Sequence, residues 1–161
     1  MIVGDGLVYR IVRIGIAEIE EIRSLAQAAQ AEGYRFLNRL VQDLESGENR
    51  FDKSGEALFG VYESNELIAV GGLNVDPYSV DKRVGRVRRV YVKPSHRRRG
   101  VGALLLKAIV EQAKGRFDTL HLRTDTEAAS AFYCSLGFQN EPLGKNHTHY
   151  LRLAKPGTSH D

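Results

Sequence analysis

The segment Arg86–Gly102, RVRRVYVKPSHRRRGVG, constrains this chain more than any other stretch. A run of β-branched and aromatic residues reads as a strand, and a proline then stops it. Three arginines pass into a Gly-x-Gly turn directly ahead of LLLKAIVEQAK, whose apolar residues recur at helical spacing. Strand, tight turn and helix in that order leave the first N–H groups of the helix without intrahelical acceptors and aimed at one point, which makes an anion cradle. Gly100 and Gly102 let the main chain take positive φ and approach a phosphate with no Cβ in the way. Arg97, Arg98 and Arg99 add charge and can fork onto phosphate oxygens. The fuller GxGxxG dinucleotide spacing fails because Leu105 stands at the third glycine, and the GxxxxGK[ST] pattern of a nucleotide P-loop is absent.

Charge is concentrated at that segment. Residues 81–100 hold nine Lys or Arg against the single acid Asp81, which leaves 14 basic and 19 acidic residues elsewhere out of totals of 23 and 20. Basic character is therefore local, as suits a site that receives one concentrated anionic group. With 161 residues, 42 % of them apolar, the chain suits one domain, placed at 1–154, with a loose flexible tail at 155–161. No apolar run approaches bilayer length, and MIVGDGLVYR lacks the order of a secretory signal, so no membrane partner and a cytoplasmic location are expected. Cys134 is the only cysteine, which rules out an intramolecular disulfide and a cysteine zinc cluster. It is expected to be a small buried apolar residue. His147 and His149 alternate along an expected strand and so face one side, but two ligands without a third predict no metal.

The rest of the chain alternates strands and helices. LVYRIVRI (7–14) reads as a strand; Ile19, Ile22, Leu25, Ala26 and Ala29 mark a helix ending near Gly33. Phe36, Leu37, Leu40, Val41 and Leu44 mark a second helix, stopped at Gly47. ALFGVYE and LIAVGGLNV form a hairpin, followed by the loop DPYSVDKRVG and the basic strand. After the turn come a helix over about 101–114, the strand TLHLRT, a helix around EAASAFYCSL and a last strand near THYLRL. The order is βααβββαβαβ, an α/β sandwich on a mixed sheet. In the basic strand, an extra residue at Arg88–Arg89 would return Val87, Val90 and Val92 to one face. Such a β-bulge is a feature common beside active sites.

Arg97-x-x-Gly100-x-Gly102 after VYVKP, together with Ala128, Phe132, Tyr133, Gly137 and Phe138 in A-x-x-x-F-Y-x-x-x-G-F, resembles the GNAT superfamily of acyl-coenzyme A-dependent N-acyltransferases over about residues 57–138. The resemblance implies a mixed, mostly antiparallel sheet flanked by helices on both faces, with splayed central strands. It implies acetyl-CoA as acyl donor and an acetyl transfer to a primary amine of a small molecule or peptide by direct attack. Carried over by position, it implies that the N–H groups of Arg98, Arg99, Gly100, Val101, Gly102 and Ala103 bind the pyrophosphate. The main chain of Val90, Tyr91 and Val92 would pair with the pantetheine arm, an N–H such as that of Val90 would polarise the thioester carbonyl, and Tyr133 would be the general acid. A possible homodimer through the C-terminal strands is implied in the same way.

Two positions depart from the family pattern. Arg86 stands where many relatives carry a glutamate that helps to remove the amine's proton, so Asp76, His121, His149 or arrival of the substrate as free amine remain open. Thr126 stands in place of an asparagine, and can still cap the helix and reach the cofactor. Arg88 or Arg89, if turned to the acceptor side, would favour a carboxylated amine. Two other functions compete: a nucleic-acid-binding module using 86–99, and a non-catalytic acyl-CoA-binding sensor. The first leaves Gly100, Gly102 and the Phe-Tyr helix unexplained and offers only Tyr91 for base stacking, so no nucleic acid is expected.

Overall fold

A computed structural model of the chain describes residues 2–4, 7–142 and 144–154. Its strands are β1 (Ile2–Gly4), β2 (Leu7–Arg13), β3 (Ala57–Glu63), β4 (Glu66–Val75), β5 (Val84–Val92), β6 (Thr119–Leu122), β7 (Gln139–Asn140) and β8 (His149–Arg152). The helices are α1 (Ile19–Ala31), α2 (Phe36–Ser46), α3 (Val101–Ala113) and α4 (Glu127–Ser135). The strands make one sheet in the order β1-β2-β3-β4-β5-β6-β8-β7. Only β5 and β6 run parallel, so the sheet is mixed and mostly antiparallel, as expected. The expected order missed β1 and β7, whose three and two residues are too short to show a period. The expected tail, 155–161, lies outside the described residues.

Helices cover both faces because each presents one apolar stripe. Ile22, Leu25, Ala26 and Ala29 of α1 and Leu37, Leu40, Val41 and Leu44 of α2 are buried with Leu58, Tyr62, Val70 and Tyr91 on one face of the sheet. Leu105, Leu106, Ile109 and Ala113 of α3 close the other face over Leu73, Val87, Leu120 and Leu122, and Tyr133 of α4 joins them. Two clusters of this kind are the core on either side of β4, the central strand, eight of whose ten residues are buried.

The expected bulge is present. Val70 pairs with Tyr91 and Gly72 with Arg88, so Arg89 and Val90 both stand opposite Gly71. Arg89 takes φ +61°, a left-handed value uncommon outside glycine that suits a bulged residue. Val87 is buried and Val90 and Val92 pack against the same cluster, so the three valines share a face.

Beside the bulge the sheet splits. β5 and β6 pair only at Val84–Thr119, Gly85–Leu120 and Arg86–His121. From Val87 to Val92 the strand keeps its partner β4 on one edge while β6, already ended at Leu122, leaves the other edge open. The open edge leads along β5 to the turn before α3.

Candidate active site

The turn from β5 into α3 is anchored at each step. Lys93 N–H bonds Ile68 O at 2.9 Å, and Pro94–His96 make a 3₁₀ turn. His96 is buried, with Glu63 Oε2 3.0 Å from Nε2 and Ser95 Oγ 2.8 Å from Nδ1. Arg97 forks onto Glu32, at the end of α1, at 2.7 and 2.8 Å, and its Nε donates to Val92 O at 2.9 Å. Its guanidinium lies 5.5 Å from the Tyr91 ring centroid, and the Tyr91 hydroxyl donates to the same glutamate. The Arg97 hydrogen bonds hold the Glu32 carboxyl below its ordinary range. Burial first, then Glu32, raises the Tyr91 phenol. Arg97 and Tyr91 thus tie the turn to α1. Arg97 faces a carboxylate of its own chain, a contact the sequence alone did not show.

Past that clasp the chain opens. Arg98 has φ +63° and Gly100 φ +78°, and a Cβ at Gly100 would meet nothing within 4 Å. The first intrahelical bond of α3 is Leu104 N–H to Gly100 O at 3.1 Å, which leaves the N–H groups of Val101, Gly102 and Ala103 without helical acceptors. Gly102 corrects the expectation of positive φ. It lies inside α3, and glycine gives room there, since a Cβ would come 3.0 Å from Phe132 Cζ of α4 and the ring would have to give by a few tenths of an ångström. The two glycines therefore do different work: one turns the chain, and the other lets α4 close onto the helix start.

Five of the nine basic residues in 81–100 are paired with acids: Arg83 with Asp118, Arg86 with Asp76, Arg89 with Asp43, Lys93 with Glu66, and Arg97 with Glu32. Among the described residues, Lys82, Arg88, Arg98 and Arg99 have no acidic partner. The run seen in sequence as one block resolves into charge at the turn, from Arg98 and Arg99, and a separate charge on the strand, Arg88.

Tyr133 comes from α4, whose start Thr126 caps by accepting from Ala129 N–H at 3.1 Å. Its ring is buried with edge contacts to Phe132 (centroids 5.1 Å) and Phe138 (5.6 Å). Among the described residues its hydroxyl has no hydrogen-bond partner. Burial raises its pKa, so the phenol keeps its proton at neutral pH. Cys134 is exposed, contrary to the buried role expected from sequence; Tyr133 takes the inward position of the helix and its neighbour turns outward.

On the opposite face, where the split begins, a polar cluster assembles that sequence reasoning named only in part. Leu120 and Leu122 point into the α3 core, so His121 between them faces the α1–α2 side, as does Arg86 beside it. Asp76, 1 % exposed, places Oδ2 3.0 Å from His121 Nδ1 and Oδ1 3.6 Å from Arg86 Nη1. Tyr78 N–H donates to Asp76 Oδ1 at 3.1 Å, and Arg86 Nη2 donates to Asn146 O at 2.6 Å. The His121 ring stacks on His147 at 3.8 Å, and His147 in turn meets Glu141. Burial and the neighbouring His147 lower the His121 pKa more than Asp76 raises it, so the ring is neutral at pH 7. With Nδ1–H donating to the carboxylate, Nε2 is the lone-pair nitrogen, and no described residue occupies it.

His149 is different. It is 1 % exposed and holds Ser130 Oγ at 2.9 Å and Thr148 Oγ1 at 2.8 Å, so both nitrogens are engaged. The shared face expected for His147 and His149 does not form, because β8 starts at His149 and His147 lies in the preceding loop. Among the described residues, no group of three or more His, Cys, Asp or Glu could hold a metal ion, and no helix is long and apolar enough to cross a membrane.

Comparison with known proteins places this geometry. Residues 19–138 match the acetyltransferase (GNAT) family. The chain is 35 % identical over 77 residues to N-alpha-acetyltransferase RimI of Mycobacterium tuberculosis, covering 44 % of this chain and 49 % of that protein. It is 33 % identical over 86 residues to the uncharacterized N-acetyltransferase YsnE of Bacillus subtilis, covering 50 % and 54 %. The matched stretch thus spans about half the length of these curated relatives. Among solved structures, a protein from Exiguobacterium sp. 255-15 assigned as an acetyltransferase superposes with TM-score 0.78 at 30 % identity, over 91 % of this chain and 94 % of that one. The PaiA N-acetyltransferase of Thermoplasma acidophilum, solved in complex with coenzyme A, superposes with TM-score 0.65 at 16 % identity, over 91 % and 99 %. With the family matched over residues 19–138, most of its length, the chain belongs to the GNAT family of acetyltransferases.

Proposed function

We propose that this chain transfers an acetyl group from acetyl-CoA to a primary amine. The observation that carries the reading is the open edge of β5 from Val87 to Val92, running into the unpartnered N–H groups at the start of α3. An extended thioester arm fits such an edge as a further strand, and a diphosphate fits the turn. The empty space at Gly100 and the acid-free Arg98 and Arg99 suit that group. When bound, acetyl-CoA supplies an acyl carbon on a thiol leaving group.

The residues then divide the work. The N–H groups from Arg98 to Ala103 hold the diphosphate, with charge from Arg98 and Arg99, while the main chain of Val90, Tyr91 and Val92 aligns the arm. Thr126 lies at the exposed start of α4, where its hydroxyl can also reach the donor. Val90 N–H, in the bulge, polarises the carbonyl. Tyr133 donates its proton to the sulfur as the carbon–sulfur bond breaks. His121, oriented by Asp76, takes the amine's proton on Nε2, a role the position of Arg86 cannot fill. The acid and the base stand on opposite faces of the sheet, so amine and thiol are served from separate sides. Proton exchange with water restores both groups.

Release of free thiol from acetyl-CoA with a panel of amines tests the reading. A wild-type chain that turns over and a Tyr133→Phe variant slowed about a hundredfold or more support it. Failure of the chain to bind coenzyme A at all would end it.

A further inference from the structure

Among the described residues, Arg88 is the one basic residue of β5 without an acidic partner, and it stands between two that have one. Val87 and Val90 face the α3 core, so Arg86 and Arg88, on alternate positions, rise from the α1–α2 face. Arg89, swung by the bulge, reaches Asp43 of α2 at 3.8 Å, and Arg39 of α2 approaches the same carboxylate at 3.4 Å. Arg86 lies 3.6 Å from Asp76 and 4.8 Å from the centroid of the exposed Tyr78 ring. Arg39, Arg86 and Arg89 thus share two aspartates and Arg88 has none, an excess of two positive charges around this face.

Two of these charges are poorly solvated, while Arg39 reaches water with 66 % of its side chain exposed. The Arg86 side chain is 7 % exposed and that of Arg89 16 %, and Arg86 Nη1 and Arg89 Nε are buried with no hydrogen-bond partner among the described residues. Like charges held this way are unfavourable unless an anion joins them. Burial and the Arg88 charge both lower the pKa of Arg86 and of Arg89, which points the same way. Arg86 and Arg89 are already engaged and too buried to meet a ligand directly. Arg88 is half-buried, and among the described residues none of its five donors has a partner.

Resting on the reading of the chain as an acetyltransferase, we infer that its acceptor is an amine that also carries a carboxylate, which Arg88 receives as a fork. Arg88 lies two residues along β5 from the last pair with β6, about 7 Å, on the face where His121 stands. A carboxylate there puts the same molecule's amine within reach of the split. Guanidinium and carboxylate match in plane and spacing, so the pair discriminates against neutral groups of similar size.

The test is titration of the full chain, saturated with coenzyme A, with N-acetylglycine and with its uncharged amide. Wild type is expected to bind the acid at least tenfold more tightly; Arg88→Gln should bring the two within about threefold, and Arg88→Lys should fall between. A separate titration of each variant with coenzyme A reports whether it is folded. Equal affinities in the wild type, no measurable binding of the acid, or a preference that survives Arg88→Gln would overturn the inference. Failure of coenzyme A itself to bind would instead fall on the acetyltransferase reading, with acid preference still measurable on the free chain.

Discussion

On the α3 side of the sheet the groups left at the turn are main-chain N–H groups of consecutive residues, those of Val101, Gly102 and Ala103, which have no helical acceptors. On the α1–α2 side the polar cluster draws Asp76, Arg86, His121, Glu141 and His147 from three strand or loop segments and the loop before β8. The two regions therefore answer to different rules. Backbone chemistry needs a conformation, which a short contiguous stretch can enforce through Pro94, Gly100 and a helix start. Side-chain chemistry needs a juxtaposition, which only the completed topology supplies. The α3 side should tolerate changes of side chain and resist changes of backbone geometry, and the other side should behave in reverse.

Tyr133, the proposed acid, spans the comparison, since it is a side chain on the backbone-built side, and its removal should have the largest effect. Tyr133→Phe is expected to lower kcat by about 10²- to 10³-fold with coenzyme A affinity changed by less than about twofold, measured by thiol release and calorimetry. His121→Asn comes next. At pH 7 its kcat/KM should fall by about 10- to 100-fold, and the deficit should narrow as rising pH delivers more free amine. The sign follows from burial. Because the folded protein favours the neutral ring, activity in the wild type should be lost only as pH falls below about 6.5, the ordinary histidine value. A pH–rate profile with its acidic limb above that value would contradict the assignment.

Replacing Arg98 and Arg99 together with Gln should weaken coenzyme A by roughly tenfold and flatten its dependence on salt, with the acceptor preference unmoved. Arg97→Gln should separate from that pair. Its fork onto Glu32 is partly exposed and is expected to be worth about 1 kcal/mol, read as a drop of about 2–4 °C in Tm, with a smaller loss of coenzyme A affinity than the Arg98–Arg99 pair shows. An Arg97 variant that lost the donor as severely as the Arg98–Arg99 variant would erase the distinction between clasp and cradle.

The same distinction explains what could be seen in the sequence. The turn, its helix, the bulge and the Ala128–Phe138 motif are local, and each left a spacing that survives in one dimension. The contact of Arg97 with Glu32 was not visible that way, because that carboxylate lies 65 positions earlier. Gly102 was visible as a glycine but not as the seat of Phe132, a contact between two helices. Asp76, His121 and His149 were equal candidates in sequence. Only the folded chain separates them, by engaging both nitrogens of His149, burying Asp76 and leaving His121 Nε2 free. Cys134 shows the limit of apolarity as a guide, since on α4 its neighbour Tyr133 claims the inward position.

Amide hydrogen exchange of the full chain, with and without coenzyme A, tests most directly that main chain rather than side chain receives the donor. The account predicts new protection at residues 90–92 and 98–103, with α1 and α2 unchanged. Saturation by coenzyme A without slowing at either stretch, or with slowing confined to the α1–α2 side, would contradict it.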